Sequence, residues 1–249
     1  MNILVTNDDG YAAPGLLALK TALSRVGNVV VVAPEHNYSA AGHVKTMHKP
    51  LRISEVQLAD SSKAYATTGA PSDCVALVLL GALDFEPDLV LSGINPNCNL
   101  GHDVTYSGTV TAAMEGTIGG VPSIAVSAGS AEAYPAAAEF AARLAGQAFE
   151  RGLPRDVLLN VNVPTPPIHG AHITRMGKRL YRDELIVRHD PRGRPYYWIG
   201  GERPSGVPEE GTDIWAVDNG YISVTPIQLD LTGYPWIEAL SAWDLKAAT

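Results

Sequence analysis

Along the first two-thirds of the chain, short unbroken apolar runs alternate with stretches where apolar residues recur every three or four positions. Ile3-Leu4-Val5 is the first such run. Apolar on both alternations, it predicts a strand buried on both faces of a parallel sheet. Past the 7–13 loop, Pro14 stands where a first-turn proline is tolerated. Leu16, Leu19, Leu23 and Val26 then repeat at helical spacing, and Gly27 suits the C′ position. Further strands are predicted over 29–33, 88–91, 121–127 and 157–161, with helices over roughly 71–82, 109–118 and 133–150. Strands alternating with helices predict an α/β fold, a mostly parallel sheet covered on both sides.

The pattern changes after about residue 175. Residues 184–188 and 195–199 flank Asp190-Pro191-Arg192-Gly193-Arg194, which predicts a long hairpin. Residues 201–212, rich in Gly, Pro and Glu, read as loop. A strand is expected over 221–229 around Pro226, and a terminal helix over 236–246. The chain is thus expected to divide into a core, 1–175, and a C-terminal extension, 176–249, consisting of a hairpin arm, a strand returning to the core and the terminal helix.

Charge narrows the partners. Eighteen basic against 26 acidic residues leave a net charge of −8, which repels nucleic-acid polymers and anionic membranes. Lys178, Arg179, Arg182, Arg188, Arg192 and Arg194 are interleaved with Asp183, Glu184 and Asp190, and read as a solvated hairpin or a subunit contact. Cys74 and Cys98 are the only cysteines and form no C-x-x-C pair. With no basic segment leading into an apolar core at the N-terminus, the expectation is a cytoplasmic protein. The apolar stretch around Cys74 to Leu83 is too short to span a bilayer.

Candidate chemistry collects at the C-terminal ends of the predicted parallel strands, where open α/β sheets bind ligands. Asn7-Asp8-Asp9-Gly10 follows the first strand, Asn37-Tyr38-Ser39 the second, and Gly93-Ile94-Asn95 the strand at 88–91. Adjacent aspartates in an extended strand point to opposite faces, so one shared site requires a turn, and Gly10 permits it. Juxtaposed carboxylates repel unless a cation neutralises them or one takes a proton. Carboxylate, hydroxyl and amide oxygens suit a hard divalent ion, Mg²⁺ or Mn²⁺. Taken alone, Asp8-Asp9 reads equally as a helix cap or a solvated turn, and Ser39 and Asn95 as turn residues. The convergence of three loops on one sheet edge favours the cation. Tyr106-Ser107-Gly108-Thr109 enters the predicted helix at 109–118. Ser107 and Thr109 are natural N-caps, and the free N–H groups of a helix start bind phosphate. No G-x-G-x-x-G, G-x-x-x-x-G-K-[ST] or G-x-S-x-G occurs, which argues against dinucleotide, P-loop and serine-hydrolase sites. His43, His48 and His102 lack metal-ligand spacing and read as structural or surface residues.

These motifs, in this order, resemble the SurE, or stationary-phase survival protein, family of nucleotidases. The likeness is carried by Ile3 to Gly10, by Ala33-Pro34 with Ser39, and by Ser92-Gly93-Ile94-Asn95 continuing to Asn99-Leu100-Gly101. It continues in Ser107-Gly108-Thr109-Val110 with Ala112-Ala113-Met114-Glu115-Gly116, then Asn160-Val161-Asn162-Val163-Pro164, Gly211-Thr212-Asp213 and Asp218 to Leu231. The resemblance implies a Rossmann-like three-layer core whose C-terminal extension is exchanged between subunits of a homodimer or homotetramer. It implies one Mg²⁺ or Mn²⁺ per subunit, held by Asp8, Asp9, Ser39 and Asn95. Phosphate would be held by Asn95, Ser107, Gly108 and Thr109. The activity implied is hydrolysis of nucleoside 5′- and 3′-monophosphates, and of short polyphosphate in some members. Asp8, Asp9 and Asn95 are the candidate catalytic residues, either aspartate being a candidate base or nucleophile. Asn97 and Ala70 depart from the family's usual glycine and threonine, which bears on the shape of the substrate pocket. The alternatives are a nucleotide-donor transferase and a non-catalytic nucleotide-sensing module.

Overall fold

A computed structural model describes residues 1–201, 204–243 and 245. The first part of the chain runs β1 (Asn2–Thr6), α1 (Pro14–Leu23), β2 (Asn28–Pro34), β3 (Ile53–Gln57), β4 (Lys63–Thr67), α2 (Pro71–Leu79), β5 (Leu89–Asn95), α3 (Gly108–Ile118), β6 (Ser123–Ala128), α4 (Tyr134–Arg151) and β7 (Val157–Val163). It continues with β8 (Gly170–Ile173), β9 (Arg179–Leu180), β10 (Asp183–His189), β11 (Pro195–Gly201), β12 (Ser205–Gly206), α5 (Asp213–Asp218), β13 (Tyr221–Gln228) and α6 (Tyr234–Ser241).

The nine-stranded sheet has the order β3-β4-β2-β1-β5-β6-β7-β13-β8. From β4 through β7 every pair is parallel, while β3 and β13 join antiparallel. The alternation within β1 shows why its residues are all apolar. Ile3 and Val5 pack with Leu16, Leu19 and Leu23 of α1, and Leu4 packs on the opposite face with Val75 and Val78 of α2. Each such side chain, fully buried, contributes about 1.5–3 kcal/mol relative to exposure. Ala137, Ala138, Ala141, Ala142, Ala145 and Ala148 form the buried stripe of α4, whose small side chains allow a close approach to the layer beneath. Helices therefore cover both faces, as expected.

Several elements differ from the expectation. The strands β3 and β4 were not foreseen, because Ser54, Glu55 and Lys63 interrupt the apolar pattern. They lie at the sheet edge, where one face meets water and polar residues are tolerated. The first helix closes at Leu23, leaving Val26 exposed. Within 201–212, expected as loop, Ser205–Gly206 pairs with Arg179–Leu180, while Glu202 and Arg203 lie outside the described residues. The terminal helix begins at Tyr234, two residues before the expected start, and the end of the expected span at 244 and 246 lies outside the described residues. Pro226 sits inside β13, yet β8 pairs only with Tyr221 to Val224. Beyond Val224 the flank of β13 opposite β7 is open, so a missing N–H there breaks no ladder. The β10–β11 hairpin forms as read, in full register from Asp183↔Gly201 to His189↔Pro195.

Candidate active site

The turn after β1 is built by its own side chains. Asn7 Nδ2 donates to the Gly10 carbonyl at 3.0 Å, and the Gly10 N–H donates back to Asn7 Oδ1 at 3.2 Å. Gly10 has φ +99°, a conformation L side chains rarely adopt. The turn swings both carboxylates into one pocket of about 230 Å³, which Ser39, Asn95, Asn99, Asp103 and Ser107 also line.

Each neighbour of the aspartate pair has an identifiable support. The Thr109 hydroxyl donates to Asp8 Oδ1 at 2.5 Å. That contact exists because position 108 is glycine: a Cβ there would stand 2.7 Å from Asp8 Cβ. The N-terminus of α3 thereby abuts a buried carboxylate, which the helix dipole favours. On the other side, Asn37 Nδ2 donates to Asp9 Oδ1 at 3.2 Å, and Asn37 Oδ1 accepts from the Ser39 N–H at 2.7 Å. The Tyr38 N–H donates to the Asp8 carbonyl at 2.7 Å, so the 37–39 loop is stapled to the aspartate turn. Asn95, the last residue of β5, donates from Nδ2 to the Asn97 carbonyl at 2.6 Å, which leaves its Oδ1 to accept a hydrogen bond or ligate a cation. Ser107 caps α3, accepting from the Val110 N–H at 3.2 Å.

The electrostatics follow from this crowding. Burial pushes the Asp8 carboxyl up, against the Thr109 hydroxyl and backbone, which pull it down. Burial first, and the Asp8 charge second, raise Asp9 to about 6, with Asn37 opposing. Two carboxylates that resist ionising together, beside neutral hydroxyl and amide oxygens, form a donor set fitted to a hard divalent cation. Among the described residues no group of three or more His, Cys, Asp or Glu side chains is arranged to hold a metal, so the neutral oxygens of Ser39 and Asn95 would have to complete a cation site here.

The whole-chain comparisons bear on these residues. A family model described as survival protein SurE matches residues 3–183. The chain belongs to the SurE family. It is 55% identical to the 5′-nucleotidase SurE of Herpetosiphon aurantiacus, covering 97% of each chain. It is 54% identical to the one from Chloroflexus aggregans, over 98% of this chain and 99% of that one. The crystal structure of the SurE protein from Aquifex aeolicus superposes with a TM-score of 0.82 at 44% identity, covering 97% and 98% of the two chains.

Within this SurE fold, Asp8, Asp9, Ser39, Asn95 and Ser107 meet at one pocket, whereas Thr109 is fully buried with its hydroxyl on Asp8. Both its side chain and its backbone act on the Asp8 carboxylate, and the Val110 N–H is taken by the Ser107 hydroxyl, so Thr109 positions a carboxylate rather than a bound anion. His102 is exposed in a 3-10 turn, Gly101–Thr105, and the neighbouring Asp103 lines the pocket instead. Asp103 accepts from Arg179 and from the Tyr181 hydroxyl, each at 2.6 Å. Arg179 is therefore not part of a solvated charge run: it is largely buried, tying the C-terminal part of the chain to the site. Asp213 does the same from further away, accepting from the N–H groups of Gly101, Gly177 and Ile214 at 2.7–2.8 Å. Asn99 is held by Ser127, Asn160 and Asn162. One sequence signal pointed there: two asparagines inside the otherwise apolar run of β7. His43 and Lys45 both contact Glu115 of α3, at 2.9 and 3.2 Å, pinning the long 36–52 loop beside the site.

Proposed function

We propose that this chain is a divalent-cation-dependent phosphomonoesterase that hydrolyses nucleoside 5′- and 3′-monophosphates, and short polyphosphate, by water attack on phosphorus. The observation that carries the reading is the Asp8-Asp9 pair, the first buried and the second half-buried, facing the capped N-terminus of α3 across a pocket of about 230 Å³ that has room for a phosphate and an ion. The names of the SurE relatives, 5′-nucleotidases, support the substrate class.

In this reading Asp8, Asp9, Ser39 and Asn95 hold one Mg²⁺ or Mn²⁺, whose charge would polarise the phosphate. Asn95, Ser107 and the amide of Gly108 orient the phosphate oxygens for in-line displacement, while Thr109, next in the chain, serves Asp8. Asp9 is the better placed base. Asp8 is tied to Thr109 and almost fully buried, while Asp9 is half-buried and borders both the carboxylate pocket and the cleft beside it. Water's oxygen bonds to phosphorus as one of its protons passes to Asp9; the phosphorus–ester oxygen bond breaks, the ester oxygen takes a proton from solvent and leaves as the nucleoside hydroxyl, and Asp9 returns its proton to solvent.

The extension over 176–249 serves oligomerisation to a homodimer or homotetramer. Exposed Leu185, Tyr197, Trp198 and Ile199 on the hairpin, and Trp236 and Ile237 on α6, support this. A cytoplasmic setting is supported by two free cysteines. Among the described residues no helix is long and apolar enough to cross a membrane.

The test is phosphate release from 5′- and 3′-nucleoside monophosphates with Mg²⁺, Mn²⁺ or EDTA, water being the only acceptor. Release that needs the cation is expected. Binding without release would favour a nucleotide-sensing module, and release only with an added acceptor a transferase.

A further inference from the structure

The carboxylate pocket, at about 230 Å³, falls below the roughly 300–1,000 Å³ of sites that enclose a drug-sized ligand. With a phosphate held at the carboxylates, a nucleoside would extend beyond it. On the Asp8 side Gly108 stands against the carboxylate, Thr109 is fully buried, and the charged Asp103 borders the pocket. On the Asp9 side a second cleft, of about 460 Å³, adjoins the first, the two sharing Asp9 and Pro96. Its other walls are Ala12, Ala13, Pro14, Gly15 and Tyr134. Tyr134 opens α4 and is half-buried against the main core, so packing limits its motion before any ligand arrives. Apart from Asp9, no charged side chain borders the cleft, so it offers no grip for a second phosphate. Flat apolar walls with one aromatic ring suit a nucleobase, which stacks on such rings whatever its edge.

Building on the phosphomonoesterase reading, we propose that this cleft receives the nucleoside, its base lying against Tyr134 and Pro96, and that Tyr134 and Ala12 set the preference for nucleotides over smaller phosphate esters. Asp9 stands at the junction, where the ester bond would cross from one pocket to the other.

The test compares kcat/KM for a 5′-nucleoside monophosphate with that for ribose 5-phosphate, which lacks the base. In Tyr134→Ala the ratio of the two is expected to fall about tenfold or more, through KM for the nucleotide, while Tyr134→Phe keeps it. Ala12 is exposed, so Ala12→Trp fills the cleft from the surface without entering the core, and is expected to lower the same ratio. Tyr106, 60% exposed at the other side of the carboxylate pocket, is the competing platform. An unchanged ratio in both Tyr134→Ala and Ala12→Trp, or a fall confined to Tyr106→Ala, would overturn the assignment. Release from neither ester by the parent protein would remove the hydrolase reading by itself. Equilibrium dialysis of the nucleotide against the parent and Ala12→Trp would then decide the cleft, and equal binding would overturn it.

Discussion

Thr109→Val isolates the contact on which the aspartate pair depends. Valine keeps the shape of threonine and removes the hydroxyl that donates to Asp8 Oδ1 at 2.5 Å. Asp8 is 4% exposed, so water does not readily replace that donor. A hydrogen bond to a charged group contributes about 1.5–3 kcal/mol, and Asp8 must be ionised to hold a cation. At about 1.4 kcal/mol per tenfold, the loss corresponds to roughly 10–100-fold in cation affinity, the range seen when a ligand's outer hydrogen-bond partner is removed. The Thr109 backbone also lowers the Asp8 pKa and survives the substitution, which places the expectation toward the lower end. The assay is Mn²⁺ titration of phosphate release together with calorimetric Mn²⁺ binding. A raised Kd with turnover recovered at saturating Mn²⁺ is expected. Thr117→Val is the control, since its hydroxyl donates to the Ala113 carbonyl at 3.1 Å, away from the carboxylates. Equal Mn²⁺ affinity in Thr109→Val and the parent would refute the view that Thr109 holds Asp8 for a cation.

Three further outcomes follow from the same geometry. Asp9→Asn is expected to abolish cation-dependent release and to raise Tm in EDTA at neutral pH, because it removes a like charge beside Asp8; retained turnover would sink the role given to Asp9. The cation-free protein should lose stability as pH rises from about 4 to about 6, because Asp9, ordinarily 3.8, is held at about 6 when folded and so binds its proton more tightly than in the unfolded chain. The shift of about 2 units would be about 3 kcal/mol at 1.36 kcal/mol per unit, cut to about 1–2 kcal/mol by solvent at this half-buried site. Mg²⁺ or Mn²⁺ should accordingly raise Tm more at pH 7.5 than at pH 4.5, and an equal rise at both would contradict the repulsion. Finally, Gly108→Ala would set a Cβ 2.7 Å from Asp8 Cβ. It should destabilise the fold by about 1–3 kcal/mol and lower turnover by up to about 100-fold; full activity would show that the contact tolerates displacement.

The amino-acid sequence by itself determined the alternation of β1, α1, β2, α2, β5, α3, β6, α4 and β7. Strands buried on both faces must be apolar at every position, and helices between them must be apolar on one stripe. It also determined that Asp8, Asp9, Ser39 and Asn95 stand at the ends of parallel strands, because parallel connection puts all those ends on one edge. It did not reveal β8, whose four residues are all exposed, or β3 and β4, whose polar positions face water at the edge. What surrounds the aspartates was beyond its reach. Thr109 meets Asp8 across 101 residues, Arg179 meets Asp103 across 76, and Asp213 meets Gly101 across 112. Such contacts leave no local period to read. The tertiary structure alone decided that α3 abuts Asp8 while a cleft lined by Tyr134 of α4 adjoins Asp9, because both placements rest on the packing of helices distant in the chain.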